Sequence, residues 1–127
     1  MISIRKSFLL LLLAGCTAAA GSGEKPSKDD ITAVMKKTWE HGPTSTRPAT
    51  DITINSIRIG STEQSNYKHQ LDGIPKGVAV THAQIDFTQH EHYSSGDRDV
   101  RRMMTALVYK DHFNEWAVMN TGVRYIQ

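Results

Sequence analysis

Three segments with strand-like alternation follow one another closely in the second half of the chain, and they constrain the fold more than any other feature. They cover residues 77–93, 100–110 and 115–126. The turns predicted between them, residues 94–97 and 111–114, are only four residues long and are rich in turn-forming residues, and such turns join antiparallel neighbours. The sequence therefore predicts an antiparallel meander of three strands.

A fourth strand is predicted upstream, over residues 51–60. This segment carries four isoleucines, at Ile52, Ile54, Ile57 and Ile59. The first two have even numbers and the last two odd numbers, so a regular strand would place them on opposite faces of a sheet. A β-bulge near residues 55–56 would return all four to one face. Residues 77–93 show a similar change of parity, so both strands are predicted to bend, whereas residues 61–76 between them predict a loop or an irregular edge.

A single helix is predicted before the strands, over residues 28–41. Ser27 can cap its first turn, where Asp29 and Asp30 suit the helix dipole, and the following Gly42 and Pro43 would end it. The apolar face of this helix consists of Ile31, Val34, Met35, Thr38 and Trp39. We therefore expect the helix to cover one face of the sheet.

One helix followed by four antiparallel strands predicts an α+β fold, in which the helix packs on a bent sheet. This order of elements resembles the cystatin-like roll, which NTF2-like domains share in broader form. The resemblance implies an architecture only, because the Gln-x-Val-x-Gly loop of inhibitory cystatins is absent. One helix covers one side of a four-stranded sheet, so the other side is a candidate binding surface. Aromatic residues gathered there would form a docking face, and the candidates are Tyr93, Tyr109, Phe113, Trp116 and Tyr125.

The first residues of the chain are typical of an export signal. Arg5 and Lys6 precede a short apolar run, which is too short to serve as a membrane anchor of about 20 residues. The run ends in Leu13-Ala14-Gly15-Cys16, which resembles the lipobox of bacterial lipoproteins. The resemblance implies cleavage after Gly15 and lipid on Cys16, which would anchor the chain to a membrane.

The chain is therefore predicted to have three parts. Residues 1–15 form the signal peptide, residues 16–27 a lipidated flexible tether, and residues 28–127 a single α+β domain. The residue after Cys16 is Thr17 rather than the aspartate that often retains lipoproteins in the inner membrane. We therefore expect an outer-membrane location, with the domain facing the periplasm.

Cleavage changes the composition in two ways. Cys16 is the only cysteine, so its lipidation leaves the domain without a thiol for a disulfide, a redox site or a cysteine metal site. Cleavage also removes Arg5 and Lys6, which leaves 13 basic residues against 13 acidic ones. A formally neutral domain offers no charge argument for binding nucleic acid.

A strip of polar residues on the second predicted strand is the strongest candidate for a metal site. His82, Asp86, His90 and His92 share one parity and could supply nitrogen and oxygen ligands to zinc or copper. The opposite parity carries core-type residues such as Ile85. The solvated face of a half-buried sheet would hold the same residues, so a plain polar face is the favoured interpretation and a metal site is the alternative.

No nucleophile elbow, phosphate-binding loop or other ordered catalytic signature occurs in the sequence. We therefore expect no enzyme and no cofactor. The expected function is that of a lipid-anchored periplasmic module that docks on another protein of the bacterial cell envelope. A periplasmic ligand-binding or metal-binding domain is the alternative, followed by a small hydrolase.

Overall fold

The computed structural model describes residues 24–126, so the predicted signal peptide, Cys16 and most of the predicted tether lie outside the described residues. The described chain contains the helices α1 (Lys28–Trp39) and α2 (Tyr67–Leu71) and the strands β1 (Ala49–Gln64), β2 (Ala79–Tyr93), β3 (Gly96–Lys110) and β4 (Trp116–Tyr125). The strands form one antiparallel sheet in the order β1-β2-β3-β4. Because α1 packs on one face of this sheet, the predicted α+β fold is confirmed.

Helix α1 begins as predicted and ends two residues early. Ser27 and Asp30 form a reciprocal capping box, in which each side chain accepts the backbone N–H of the other residue. The predicted end at His41 is wrong, because Glu40 already has an extended backbone and His41 pairs with Thr50 of β1. The Glu40 carboxylate also accepts the backbone N–H of Ile52 at 3.1 Å. Pairing with the strand thus replaces the last half-turn of the helix.

The bulge predicted in β1 is confirmed. The pairing of β1 with β2 shifts between Ile54 and Ser56, and it shifts again between Ile59 and Thr62. The first shift lets the isoleucines on both sides of it contact one core under α1. The slip predicted within β2 is wrong, because both irregularities of this pairing lie on β1 and β2 is regular. Val80 accordingly joins a separate apolar cluster on the other face of the sheet from Ala83.

Two predicted connections differ from the structure. β1 continues to Gln64, and α2 follows it, where the sequence predicted only a loop or an irregular edge. Asn66 caps α2, and the ring of the buried His69 accepts the backbone N–H of Asn66, so local polar contacts create this helix. The turn between β2 and β3 is shorter than predicted, because Gly96 and Asp97 already pair with β2.

The core fills the space between α1 and the sheet. Ile31 and Met35 of α1 are fully buried, as are Ile85 and Phe87 of β2. The rings of Trp39 and Phe87 lie 5.0 Å apart, centre to centre. These side chains, together with those of β3, leave the interior apolar and closed.

Two groups of contacts outside this core hold the end of β4 and the connection between β1 and β2 in place. The Arg102 guanidinium lies 5.7 Å from the centre of the Trp39 ring and 4.6 Å from that of Tyr125, so it connects α1 with the end of β4. On the sheet face opposite α1, a smaller apolar cluster is formed by Ile74 with Val80 and Leu107. The connection between β1 and β2 therefore covers one end of that face.

Truncation of Phe87 should show how much the closed core contributes to stability. We expect Phe87→Ala to lower the free energy of unfolding by about 3–5 kcal/mol, a large part of the 5–15 kcal/mol typical of a domain. Phe113→Ala removes the same atoms from a turn in which the side chain is 83% exposed, and should change stability by less than about 0.5 kcal/mol. Urea denaturation measures both. Equal losses in the two variants would contradict this description of the core.

Candidate functional site

The face of the sheet opposite α1, which we call the outer face, carries the predicted polar strip. Ala83, Ile85 and Phe87 of β2 point into the core under α1. Successive side chains of a strand point to opposite faces, so His82, Asp86, His90 and His92 lie on the outer face. The structure therefore confirms the shared direction of the strip, and the partners of each residue decide what the strip can do.

His92 connects three strands. Its Nε2 lies 2.7 Å from Asp51 Oδ1 on β1, and its Nδ1 lies 3.1 Å from Asp97 Oδ1 on β3. A neutral imidazole has one N–H, so only the protonated ring can donate to both carboxylates. The hydrogen bond to Asp51, followed by that to Asp97, accordingly raises the pKa of His92, and the bond to His92 lowers the pKa of Asp51.

His90 lies beside it in a different arrangement. Its Nδ1 lies 2.7 Å from Asp99 Oδ1, and its Nε2 lies 2.7 Å from the Thr53 hydroxyl. One ring proton satisfies this arrangement, because the imidazole can donate to Asp99 and accept from Thr53. A hydroxyl, an imidazole and a carboxylate in this order are also the parts of a nucleophile, a base and an orienting group.

Catalysis by that trio would need further parts. A transition state with a negatively charged oxygen needs donors aimed at it, usually backbone N–H groups outside regular pairing. Thr53 and its partners His90 and Asp99 lie within paired segments of β1, β2 and β3, where the backbone groups between strands serve the sheet. We therefore interpret the trio as cross-strand polar pairing.

Asp86 is the most enclosed carboxylate of the outer face, with 6% of the residue exposed. Arg101 of β3 binds both of its oxygens, at 2.6 and 3.0 Å, and the Asn55 amide donates to Oδ1 at 3.1 Å. Asn55 also donates to the Thr88 hydroxyl at 3.0 Å. The hydrogen bonds from Arg101, and then that from Asn55, lower the pKa of Asp86, so this carboxylate is held charged.

His82 is separated from the other histidines. Its Nε2 lies 3.2 Å from Glu63 at the far end of β1, and the same carboxylate lies 3.6 Å from His69 of α2. Over residues 24–126, no group of three His, Cys, Asp or Glu side chains has the arrangement needed to hold a metal ion. The structure does not bring His82, Asp86, His90 and His92 together as one ligand set, and a zinc or copper site there stays a prediction.

Sequence reasoning missed most partners of the strip. They are Asp51, Thr53, Asn55, Asp97, Asp99 and Arg101. Their signal was present in the strand register. A two-residue turn at residues 94 and 95 places His92 opposite Asp97 and His90 opposite Asp99.

The expected aromatic docking face does not form on the outer face. Tyr109 is half-buried against the small cluster around Leu107, whereas Trp116 packs against the core on the α1 side. Tyr125 contacts Arg102 on that same side, and Phe113 projects from the turn between β3 and β4. The part of the outer face that the small cluster leaves uncovered carries the polar strip and its partners instead.

No protein-family model, no curated protein and no solved structure matches this chain. Among residues 24–126, no helix has the length and apolarity that crossing a bilayer requires. The geometry of the outer face is thus the main basis for assigning a function to the domain.

The raised pKa of His92 predicts a pH-dependent contribution to stability. A raised folded-state pKa stabilises the fold below the unfolded value of about 6.5, and this contribution is lost as the pH rises through the folded value. We therefore expect His92→Gln to destabilise the fold more at pH 5.5 than at pH 8.5, in urea denaturation.

Direct titration of the ring by NMR provides the control. The pKa of His92 should fall towards its ordinary value in Asp51→Asn, because Asp51 makes the largest contribution to the shift. Asp99→Asn removes a carboxylate that contacts His90 instead, and should leave the pKa of His92 nearly unchanged. A His92 pKa that is the same in the wild type and in Asp51→Asn would refute the described hydrogen bond between His92 and Asp51.

Proposed function

We propose that this chain is a lipid-anchored, non-catalytic interaction module of the bacterial cell envelope. In this proposal lipid on Cys16 holds it in the outer membrane, the domain faces the periplasm, and its outer face docks on another envelope protein. The lipobox-like residues support the anchor, since several acyl chains hold a protein on a membrane almost permanently. The observation that carries the docking function is the open, charged and internally ordered outer face.

The closed interior favours binding over catalysis. A roll of this shape would form an enzyme site as a polar cavity between helix and sheet. That space is occupied by fully buried apolar side chains, among them Ile31, Met35 and Phe87. A reaction would therefore have to take place on an open surface of the domain, where water has free access.

The outer face has the properties of a preorganised surface for a basic partner. Asp97 and Asp99 are held by histidines, yet about two thirds of each side chain is exposed. Asp51 is also more than half exposed in its bond to His92. Carboxylates fixed before binding lose little conformational entropy when a lysine or arginine of the partner reaches them.

Site-specific photo-crosslinking in cells tests this proposal. A photoreactive amino acid at Met103, next to Asp86 on the outer face, should give a discrete adduct with an envelope protein. The same group at Ala33, on the exposed side of α1, should not. Asp97→Asn with Asp99→Asn should lower the yield several-fold, because two exposed charges are removed.

Two variants serve as controls. Glu24→Gln with Asp29→Asn removes two exposed carboxylates away from the outer face and should leave the adduct unchanged. Cys16→Ser should release the protein from the membrane fraction and reduce the adduct. Equal adducts from positions 103 and 33 would refute the docking role of the outer face. Retention of Cys16→Ser in the membrane fraction would refute the lipid anchor.

A further inference from the structure

A groove runs between α1 and the edge of the sheet at β1, away from the outer face. It is an open cavity of about 580 Å³. Its lining includes Lys28, Thr32 and Lys36 of α1, with Ile52, Ile54 and Ile57 of β1. Two lysines and no carboxylate are among the residues that line it, so its charge is positive.

The first part of the β1 edge is already paired by the chain itself. Thr50 exchanges backbone hydrogen bonds with His41, and the Ile52 N–H donates to the Glu40 carboxylate. Both residues therefore direct their peptide groups away from β2. Peptide groups alternate in direction along a strand, so those of Ile54 face the same side, over the groove. The pairing that His41 begins can be continued there by another extended segment.

The positions of the two lysines predict the spacing of acidic residues in such a segment. Glu40 reaches Ile52, so the end of α1 lies at the start of β1, and the helix runs back along the strand. Lys28 and Lys36 are eight residues apart, which is about 12 Å along a helix. Residues i and i+4 of an extended strand point to one face and lie about 13 Å apart. Two acidic residues with that spacing match the two lysines.

The lysines are also available to a ligand. Within the described part of the chain, neither Lys28 nor Lys36 lies within ion-pair distance of a carboxylate. Lys37, which faces the other way, pairs with Glu115 at 3.9 Å. The groove thus combines a strand edge with two unpaired positive charges.

We infer that this groove binds an extended segment of a partner protein with acidic residues at positions i and i+4, which adds to β1 as a short strand. The inference rests on the proposed role in protein binding, and it assigns the domain a second binding surface besides the outer face. The bulge at Asn55 limits regular pairing to a few residues, because bulges disturb the edge that a new strand would follow. The acidic residues therefore supply much of the recognition.

Labelled synthetic peptides test the inference on the full-length protein purified in detergent. A peptide with two glutamates spaced i and i+4 among Thr and Val residues should bind saturably in fluorescence anisotropy. A peptide of the same composition with the spacing i and i+3 places the glutamates on opposite faces and should bind several-fold more weakly. A third peptide, N-methylated at alternate residues, cannot pair with the strand edge and should not bind measurably.

Protein variants separate this groove from general charge attraction. Lys28→Gln with Lys36→Gln should weaken the i and i+4 peptide by about 3- to 10-fold, as two exposed ion pairs are lost. Lys68→Gln with Lys76→Gln removes the same charge from exposed positions around α2 and should have no effect. Equal binding of the i+3 peptide or of the N-methylated peptide, or no binding at all, would overturn the inference.

Three further outcomes decide between the surfaces and their occupants. If sedimentation detects a dimer that Lys28→Gln with Lys36→Gln dissociates, a second copy of the chain occupies the groove and the assignment to an acidic partner is overturned. If the peptides do not bind while the adduct at position 103 persists, the inference about the groove is wrong and the docking role of the outer face stands. If no adduct forms at position 103 while the peptides bind, the docking role of the outer face is wrong and the inference about the groove stands.

Discussion

The one-residue bulge at Asn55 keeps the isoleucines on both sides of it in one core. Without the extra residue, the second half of β1 would turn its apolar side chains to the outer face. The same residue turns its amide towards Asp86 and Thr88 on that face. A single irregularity therefore serves the apolar packing under α1 and the polar pairing opposite to it, and both faces of the sheet depend on it.

The outer face is organised by pairs that join neighbouring strands. His92 and His90 each bridge β1 and β3 from the strand between them, and Asp86 does so through Asn55 and Arg101. No buried side-chain nitrogen or oxygen of the described residues lacks a partner. Such satisfied networks fix side-chain geometry, which a binding surface and a stable sheet both need. Helix α1 buries the apolar side chains on one face of the sheet, and the polar pairs fix the side-chain positions on the other face.

Local sequence patterns predicted α1 and the four strands, whereas the register between the strands determined which side chains meet on the outer face. The parity change among the isoleucines located the bulge, and the composition of residues 94–97 and 111–114 located the turns. The end of α1 was misplaced because its competitor, the pairing of His41 with Thr50, is a contact between separate elements. Helix α2 was missed for a related reason, since a side-chain capping box and one buried histidine stabilise a helix of only five residues. The partners of His90 and His92 come from three strands, so a pattern along one strand could not identify them.

The stacking of Arg102 between Trp39 and Tyr125 links the first helix to the last strand, more than eighty residues later in the chain. Helix α1 also packs against β1 and β4, the two edges of the sheet. Contacts between such distant parts of a chain form late and slow the folding of a domain. In a chain that emerges from a ribosome or a membrane channel with its amino terminus first, the contacts between α1 and β4 therefore cannot form until β4 follows. Any modification of the amino-terminal region before that point would act on a chain whose two edge strands α1 has not yet joined.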